Sequence, residues 1–239
     1  MNKEAATDAS RTIRSVDLRP TIVRWGLGAR EQGKRPTCSV FATVNAVEFA
    51  LAVRTGKGVQ ISQEFLNWAK NKAAGTEEDG GFFHVIWAGY GRHGLATEET
   101  QPYAEAYDPS LIPSEKALKE GEKYKKKKLK LRFIKKWDVE RGLTKTEFKA
   151  VLRKIDRGWP VMCGLRWAKK AEFVDDVMIW CPPEEVFDGH SILFVGYVLD
   201  ATAEGGGYLI VSDSASGRDD FKMSFKFMRD YANDACWIR

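Results

Sequence analysis

"EQGKRPTCSVFATVNAVEFA", residues 31–50, decides how the chain is read. A loop containing glycine and proline runs into Val40, Val44, Val47 and Leu51, spaced four, three and four apart, which marks one face of a helix. Pro36 and Thr37 suit the residues at which a helix starts, so Cys38 is expected in its first turn. A helix N-terminus carries partial positive charge and unpaired N–H groups, and both favour a thiolate over a thiol. A neighbouring imidazolium lowers the thiol further below its ordinary pKa of about 8.5. Cys38 is therefore either packing material or a nucleophile, and the other residues must supply a base to decide which.

Only three histidines are available. His84, in "FFHVIW", falls on an amphipathic stretch and reads as structural. His93, in "GRHG", reads as a solvent-facing turn. His190 opens an apolar strand directly after Gly189, so its ring is held and still reachable. Residues 190–199 and 208–214 should form an antiparallel hairpin around the turn at 204–207. Counting back from that turn sets residues 213–216 opposite His190. Asp213 could then hydrogen-bond one imidazole nitrogen and fix the tautomer, or it could simply cap the strand end. Gln32 lies six residues before Cys38. Its amide could reach a developing oxyanion together with the Cys38 N–H.

The remaining chemistry is sparse. Cys163 falls mid-strand, Cys181 precedes two prolines, and Cys236 is near the C-terminus. Four scattered cysteines do not make a disulfide framework, which points to a reducing compartment. No pair has CxxC spacing or lies near a histidine cluster, so neither a structural zinc site nor another cofactor is expected. The first residues are polar and lack the apolar centre of a signal peptide. The expected location is therefore cytoplasmic, or delivered from the cytoplasm without such a signal. No apolar run reaching the roughly 18 residues of a membrane span is expected.

The chain has 239 residues and a net charge of +5, with 44% hydrophobic residues and eight tryptophans. That length suits one large domain or two small ones sharing a core. Much of the excess charge comes from "KYKKKKLKLRFIKKW", residues 123–137, which holds no acid. Such a run invites a nucleic-acid or anionic-surface reading. The favoured reading is a solvated loop entering an edge strand, with lysines discouraging sheet-to-sheet pairing. The expected layout is α+β: an N-terminal arm over 1–17, a mainly helical part over 18–120 and a mainly β part over 121–239. Helices are expected from Cys38, from the Ser62 cap and after Gly81. A further helix buries Phe148, Val151, Leu152 and Ile155, and strands are expected in "KLRFIKKWDV", "WPVMCGLRW", "HSILFVGYVL" and "YLIVSDS".

Taken in order, these blocks resemble the papain-like cysteine peptidases. "QGKRPTCSVFATVNAVEFAL" is similar to that family's glutamine–glycine and cysteine–x–x–phenylalanine–alanine segment, with six residues from Gln32 to Cys38. "ISQEFLNWAKN", "DGGFFHVIWAGYGRHGLATEETQPYA", "GHSILFVGYV" and "YLIVSDSASG" fall where the family has its following helix, glycine-glycine stretch, histidine strand and asparagine strand. The resemblance spans about residues 18–220. It implies a two-lobe fold, a helical lobe facing a β-barrel-like antiparallel sheet across a cleft. It also implies Cys38 as nucleophile, His190 as general base and acid, Asp213 in the place of the orienting asparagine, and Gln32 in the oxyanion hole. Gly80 and Gly81 would offer backbone to an extended peptide.

The sequence departs from the family in several places. Arg35 and Pro36 stand where the family has a disulfide cysteine and a glycine, which looks more like bacterial members. Ser39 replaces the aromatic residue after the nucleophile, and Ala215 the tryptophan that shields the asparagine. A family propeptide is not evident, so a pro-segment or inhibitor would be a separate partner. The resemblance implies an endopeptidase with a polypeptide substrate. The alternatives are a deamidase, transglutaminase-like enzyme or isopeptidase using the same residues, or a degenerate basic protein that binds nucleic acid or acidic lipid through residues 123–136.

Overall fold

In the computed structural model of the chain, residues 14–215 and 220–239 are described. The order is β1 (Ser15–Asp17), α1 (Arg19–Arg24), α2 (Cys38–Thr55), α3 (Gln63–Ala74), α4 (Phe83–His93), α5 (Glu115–Lys125) and β2 (Leu131–Lys135). It continues with α6 (Lys145–Asp156), β3 (Val161–Ala168), β4 (Phe173–Val174), β5 (Val177–Met178), β6 (Val186–Leu199) and β7 (Gly207–Ser212). It ends with β8 (Asp220–Ser224), α7 (Phe225–Tyr231) and β9 (Ala235–Ile238). The strands form one sheet in the order β2-β9-β3-β6-β7-β8-β5-β4, with β1 added to β6. Every pairing is antiparallel except β5 with β8. The class is α+β, as expected.

α2 is the central helix. Its Val40, Val44, Val47 and Leu51 share one core with Met162 of β3, Leu193 and Val195 of β6, and Cys236 and Ile238 of β9. Thr43, Ala46, Phe49 and Ala50 are buried as well, so the helix is covered nearly all round rather than along one face. Its 18 residues are long and apolar enough to cross a membrane on those counts alone, contrary to the expectation that no such run exists. The protein itself covers 72% of that stretch. Truncating a fully buried leucine such as Leu51 to alanine would cost about 2–5 kcal/mol.

Strand alternation builds a second core on the opposite face of the sheet. Met162 faces the α2 side, while Val161, Cys163 and Leu165 face Phe148, Val151 and Ile155 of α6. α6 starts at a reciprocal cap: the Thr144 hydroxyl accepts from Glu147 N–H, and the Glu147 carboxylate accepts from Thr144 N–H. Such a cap contributes about 1 kcal/mol.

Three local expectations are corrected. Lys123 and Lys125 belong to α5 rather than to a loop, because Ala117, Gly121 and Tyr124 bury one face of that helix behind a Ser114 cap. His93 ends α4 and packs edge-on against Trp68 at 5.1 Å instead of facing solvent in a turn. His84 is exposed and stacks on Phe82.

Candidate active site

The first turn of α2 meets the sheet where β3 lies beside β6. Thr37 precedes the helix without giving it a side-chain cap, because its hydroxyl is turned to the Tyr103 hydroxyl and the Arg35 carbonyl. The first N–H groups of α2 are thus left for the thiol, which is hydrogen-bonded by the N–H groups of Ser39 and Ser191 and by His190. Burial raises the Cys38 pKa. The His190 hydrogen bond and charge, with those two N–H groups, outweigh it and bring the thiol below its ordinary value.

His190 lies opposite Leu165 of β3, and the β6–β7 hairpin carries the chain back to Asp213. The imidazole Nε2 is 2.8 Å from Asp213 Oδ1, which leaves Nδ1 for the sulfur. That carboxylate oxygen also accepts from the N–H groups of Ser214 at 2.7 Å and Ala215 at 3.3 Å, so its position is fixed by its own turn. Burial alone would lower the imidazole pKa. The hydrogen bonds and charges of Asp213 and Cys38 push it up to about 9. Both shifts run in the direction that favours a thiolate–imidazolium pair.

Gln32 is buried, with its N–H on the Ser214 carbonyl. Its side-chain carbonyl accepts from Ser214 Oγ at 2.8 Å, and its Nε2 donates to the Arg35 carbonyl at 2.8 Å. One amide hydrogen remains. The structure thus brings Cys38, His190, Asp213 and Gln32 into one network through Ser214 and Arg35.

The two glycines separate. Gly81 lines the cleft, with its N–H on Ser39 Oγ. Gly80 sits behind it, with φ +68 and its N–H on Asn67. A Cβ there would lie 2.5 Å from the Pro36 carbonyl, so only glycine lets this loop close on the loop that leads into Cys38.

The other thiols differ in kind. Burial drives Cys163 and Cys236 well up, and burial followed by Glu185 and Glu172 raises Cys181. Among the described residues no group of histidine, cysteine and acid side chains is disposed to hold a metal.

Four features escaped the sequence reading. Trp167 lies edge-on to His190 at 4.6 Å, so the ring is shielded from β3, although Ala215 stands at the expected shielding position. Arg35 is buried, and its guanidinium holds Glu64 and Asp79 while donating to the Ala104 carbonyl at 2.8 Å. It ties the segment before Cys38 to the first turn of α3 and to the loops at Asp79 and Ala104. Phe82 and Trp137, both about half exposed and 5.2 Å apart, flank the cleft. Asp234 lies in the cleft wall, its Oδ1 accepting from Gly164 N–H at 2.7 Å.

The cleft holds about 240 Å³ and is lined by Cys38, His190, Gly81, Phe82, Leu165 and Asp234 among others. A larger hollow of about 490 Å³ beside α3 contains neither cysteine nor histidine, so chemistry rather than size singles out the smaller one.

The sequence model of the papain family cysteine proteases matches residues 14–238. Solved structures share the fold. Xylellain, a cysteine protease from Xylella fastidiosa, superposes with a TM-score of 0.70 at 16% identity, covering 100% of this chain and 91% of its own. Digestive procathepsin L 3 of Tenebrio molitor larval midgut gives 0.65 at 17% identity, with coverage of 100% and 73%. The proform of the ragweed pollen cysteine protease Amb a 11 gives 0.64 at 20% identity, with coverage of 97% and 68%. No curated protein sequence matches the chain significantly. With nearly its whole length under the family's sequence model and the two-lobe fold in place, this chain belongs to the papain family of cysteine proteases.

Proposed function

We propose that the protein is a thiol-dependent endopeptidase acting through an acyl-enzyme on Cys38. The observation that carries this reading is the continuous array from the Cys38 sulfur through His190 to Asp213 on the wall of an open cleft. The thiolate attacks a peptide carbonyl carbon, forming the S–C bond and an oxyanion. The remaining Gln32 amide hydrogen and the Cys38 N–H stabilise that charge. His190 gives its Nδ1 proton to the departing amine as the C–N bond breaks. It then takes a proton from water, and the hydroxide cleaves the thioester. Asp213 holds the ring throughout. Gly81 rims the groove for an extended substrate, and Gly80 sets how closely that rim approaches Cys38.

Intact-mass spectrometry after treatment with an epoxysuccinyl thiol reagent tests the nucleophile. One adduct is expected on the wild type and none on Cys38→Ala; labelling of both proteins would refute it. New amino termini without released ammonia are expected from a peptide substrate. Ammonia without new termini would move the same array to deamidation.

A further inference from the structure

The basic run in the sequence does not form a single charged face. Lys135 is buried, its ammonium donating to the carbonyls of Asp138, Arg141 and Ala232. Lys125 is paired with Glu122. The concentrated charge lies elsewhere, in a groove of about 390 Å³ between α6 and the β2–β9 edge of the sheet. Arg153, Lys154 and Arg157 line it above a floor of Phe133, Ile134 and Trp237. Arg132 stands opposite Trp237 in the β2–β9 register, which places it on the same face.

Little opposes this charge. The groove's one lining carboxylate, Glu147, is taken by Arg141 and by the α6 cap. Asp156, within the same turn, is engaged by Arg14 and the Tyr197 hydroxyl. Arg132, Arg153, Lys154 and Arg157 have no ion pair among the described residues. Lys154 is held below its ordinary pKa first by burial and then by Arg157 and Arg239. Cations crowded this way over an apolar floor are a self-repelling arrangement that a ligand's negative charge would relieve.

We propose that this groove docks an acidic stretch of polypeptide, extended, with apolar residues between its carboxylates. Guanidinium forks match carboxylates two bonds at a time, and the apolar floor gives the intervening side chains a place to bury. β2 ends the sheet, so an extended chain can run alongside its outer edge. The aromatic floor does not suit nucleic acid. One face of Trp237 is covered by the Lys154 ammonium, 3.5 Å from the ring centroid, and Trp159 packs against the ring at 5.4 Å, so stacking a base would require displacing them. The occupant is a separate acidic polypeptide bound in trans, recognised by its carboxylates and the apolar side chains between them.

The test does not depend on catalysis. Full-length Cys38→Ala protein is titrated against a fluorescent peptide of about twelve residues alternating Glu and Leu. A Gln/Leu counterpart, a single-stranded oligonucleotide and phosphatidylserine vesicles serve as comparison probes. The Glu/Leu peptide is expected to bind, weakening about tenfold as salt rises through the screening range. Arg153→Glu with Arg157→Glu should lose at least about tenfold in affinity, and the milder Arg153→Gln with Arg157→Gln should lose less. Unchanged thermal melts would show that both variants fold, and the glutamine pair carries the test if the glutamate pair does not. Absence of peptide binding at low salt, equal binding by the variants, or tighter binding of the oligonucleotide or vesicles would each overturn the proposal.

Discussion

Two buried aspartates serve the same cleft by opposite arrangements, Asp213 from behind His190 and Asp234 in the wall itself. Asp213 and Asp234 are 4% and 3% exposed, so depth does not distinguish them. One oxygen of Asp213 collects the His190 ring and two backbone N–H groups, and its influence is seen on its partner, whose imidazole is pushed up to about 9. Asp234 receives the Gly164 N–H, and its nearest cation, Lys135, spends its hydrogen bonds on three carbonyls. Burial therefore wins, and the Asp234 carboxyl is pushed up to about 6. The donors arranged around a carboxylate, not its depth, separate the two: Asp213 acts on the proton of its partner His190, and Asp234 is itself shifted.

The largest expected effect removes the sulfur that His190 links to Asp213 and that shares the cleft with Asp234. Cys38→Ala should lower kcat by about 10⁴-fold or more, read with a fluorogenic peptide, while the fold remains. Activity that survives would mean that neither aspartate sits at the reacting centre. Next, Asp213→Ala should cost about a hundredfold in kcat/KM, because the imidazole loses its orienting partner. Asp213→Asn keeps an acceptor at that place and should stay within about tenfold. A complete loss in the asparagine variant would show that Asp213 does more than orient.

The pH profile sharpens the contrast. In the wild type, kcat/KM should fall as pH rises through about 9, where the His190 imidazolium is lost. Because that pKa is raised above the unfolded value, the associated stability is complete below about 6.5 and fades as pH rises through about 9. Asp213→Asn removes the anion and should move this limb to lower pH. A limb that stays in place would assign it to another group.

The smallest effect belongs to Asp234. Its substitution by asparagine should change the preference between peptides with basic and neutral side chains by about tenfold, the scale of one charge-assisted hydrogen bond. The wild-type preference for basic side chains should grow as pH rises through about 6, and the variant should be flat. Identical profiles would mean that substrate does not reach this carboxylate.

The site was legible wherever a local signal fixed the backbone. The start of α2 followed from Pro36, Thr37 and the apolar spacing. The hairpin turn put Asp213 within reach of His190 by counting alone, and the observed register, Leu193 with Ser212, leaves only a short step between them. What depended on distant packing was hidden. Asp234 reaches the cleft because Gly164 has no side chain: a Cβ there would stand 2.9 Å from the carboxylate oxygen. Trp167 meets His190 only after β3 and β6 pair with a register shift beyond Leu165. Periodicity gave α2 one apolar face, yet helices and sheet together bury it nearly all round. For α5 the signal was present in Ser114, Ala117, Gly121 and Tyr124, and the lysine run obscured it.

The Arg35 bracket bears on redox chemistry. The loops carrying Cys38 and Gly80 are clamped by a guanidinium between Asp79 and Glu64, at the position where the family resemblance puts one half of a disulfide. A sulfur bridge beside a sulfur nucleophile makes two opposing demands, since the electrons that keep one thiol reduced also threaten the bridge. An ionic clamp removes the conflict. Reductant can hold Cys38 ready without loosening its mounting, and the agents that would loosen it are acid and substitution of the arginine.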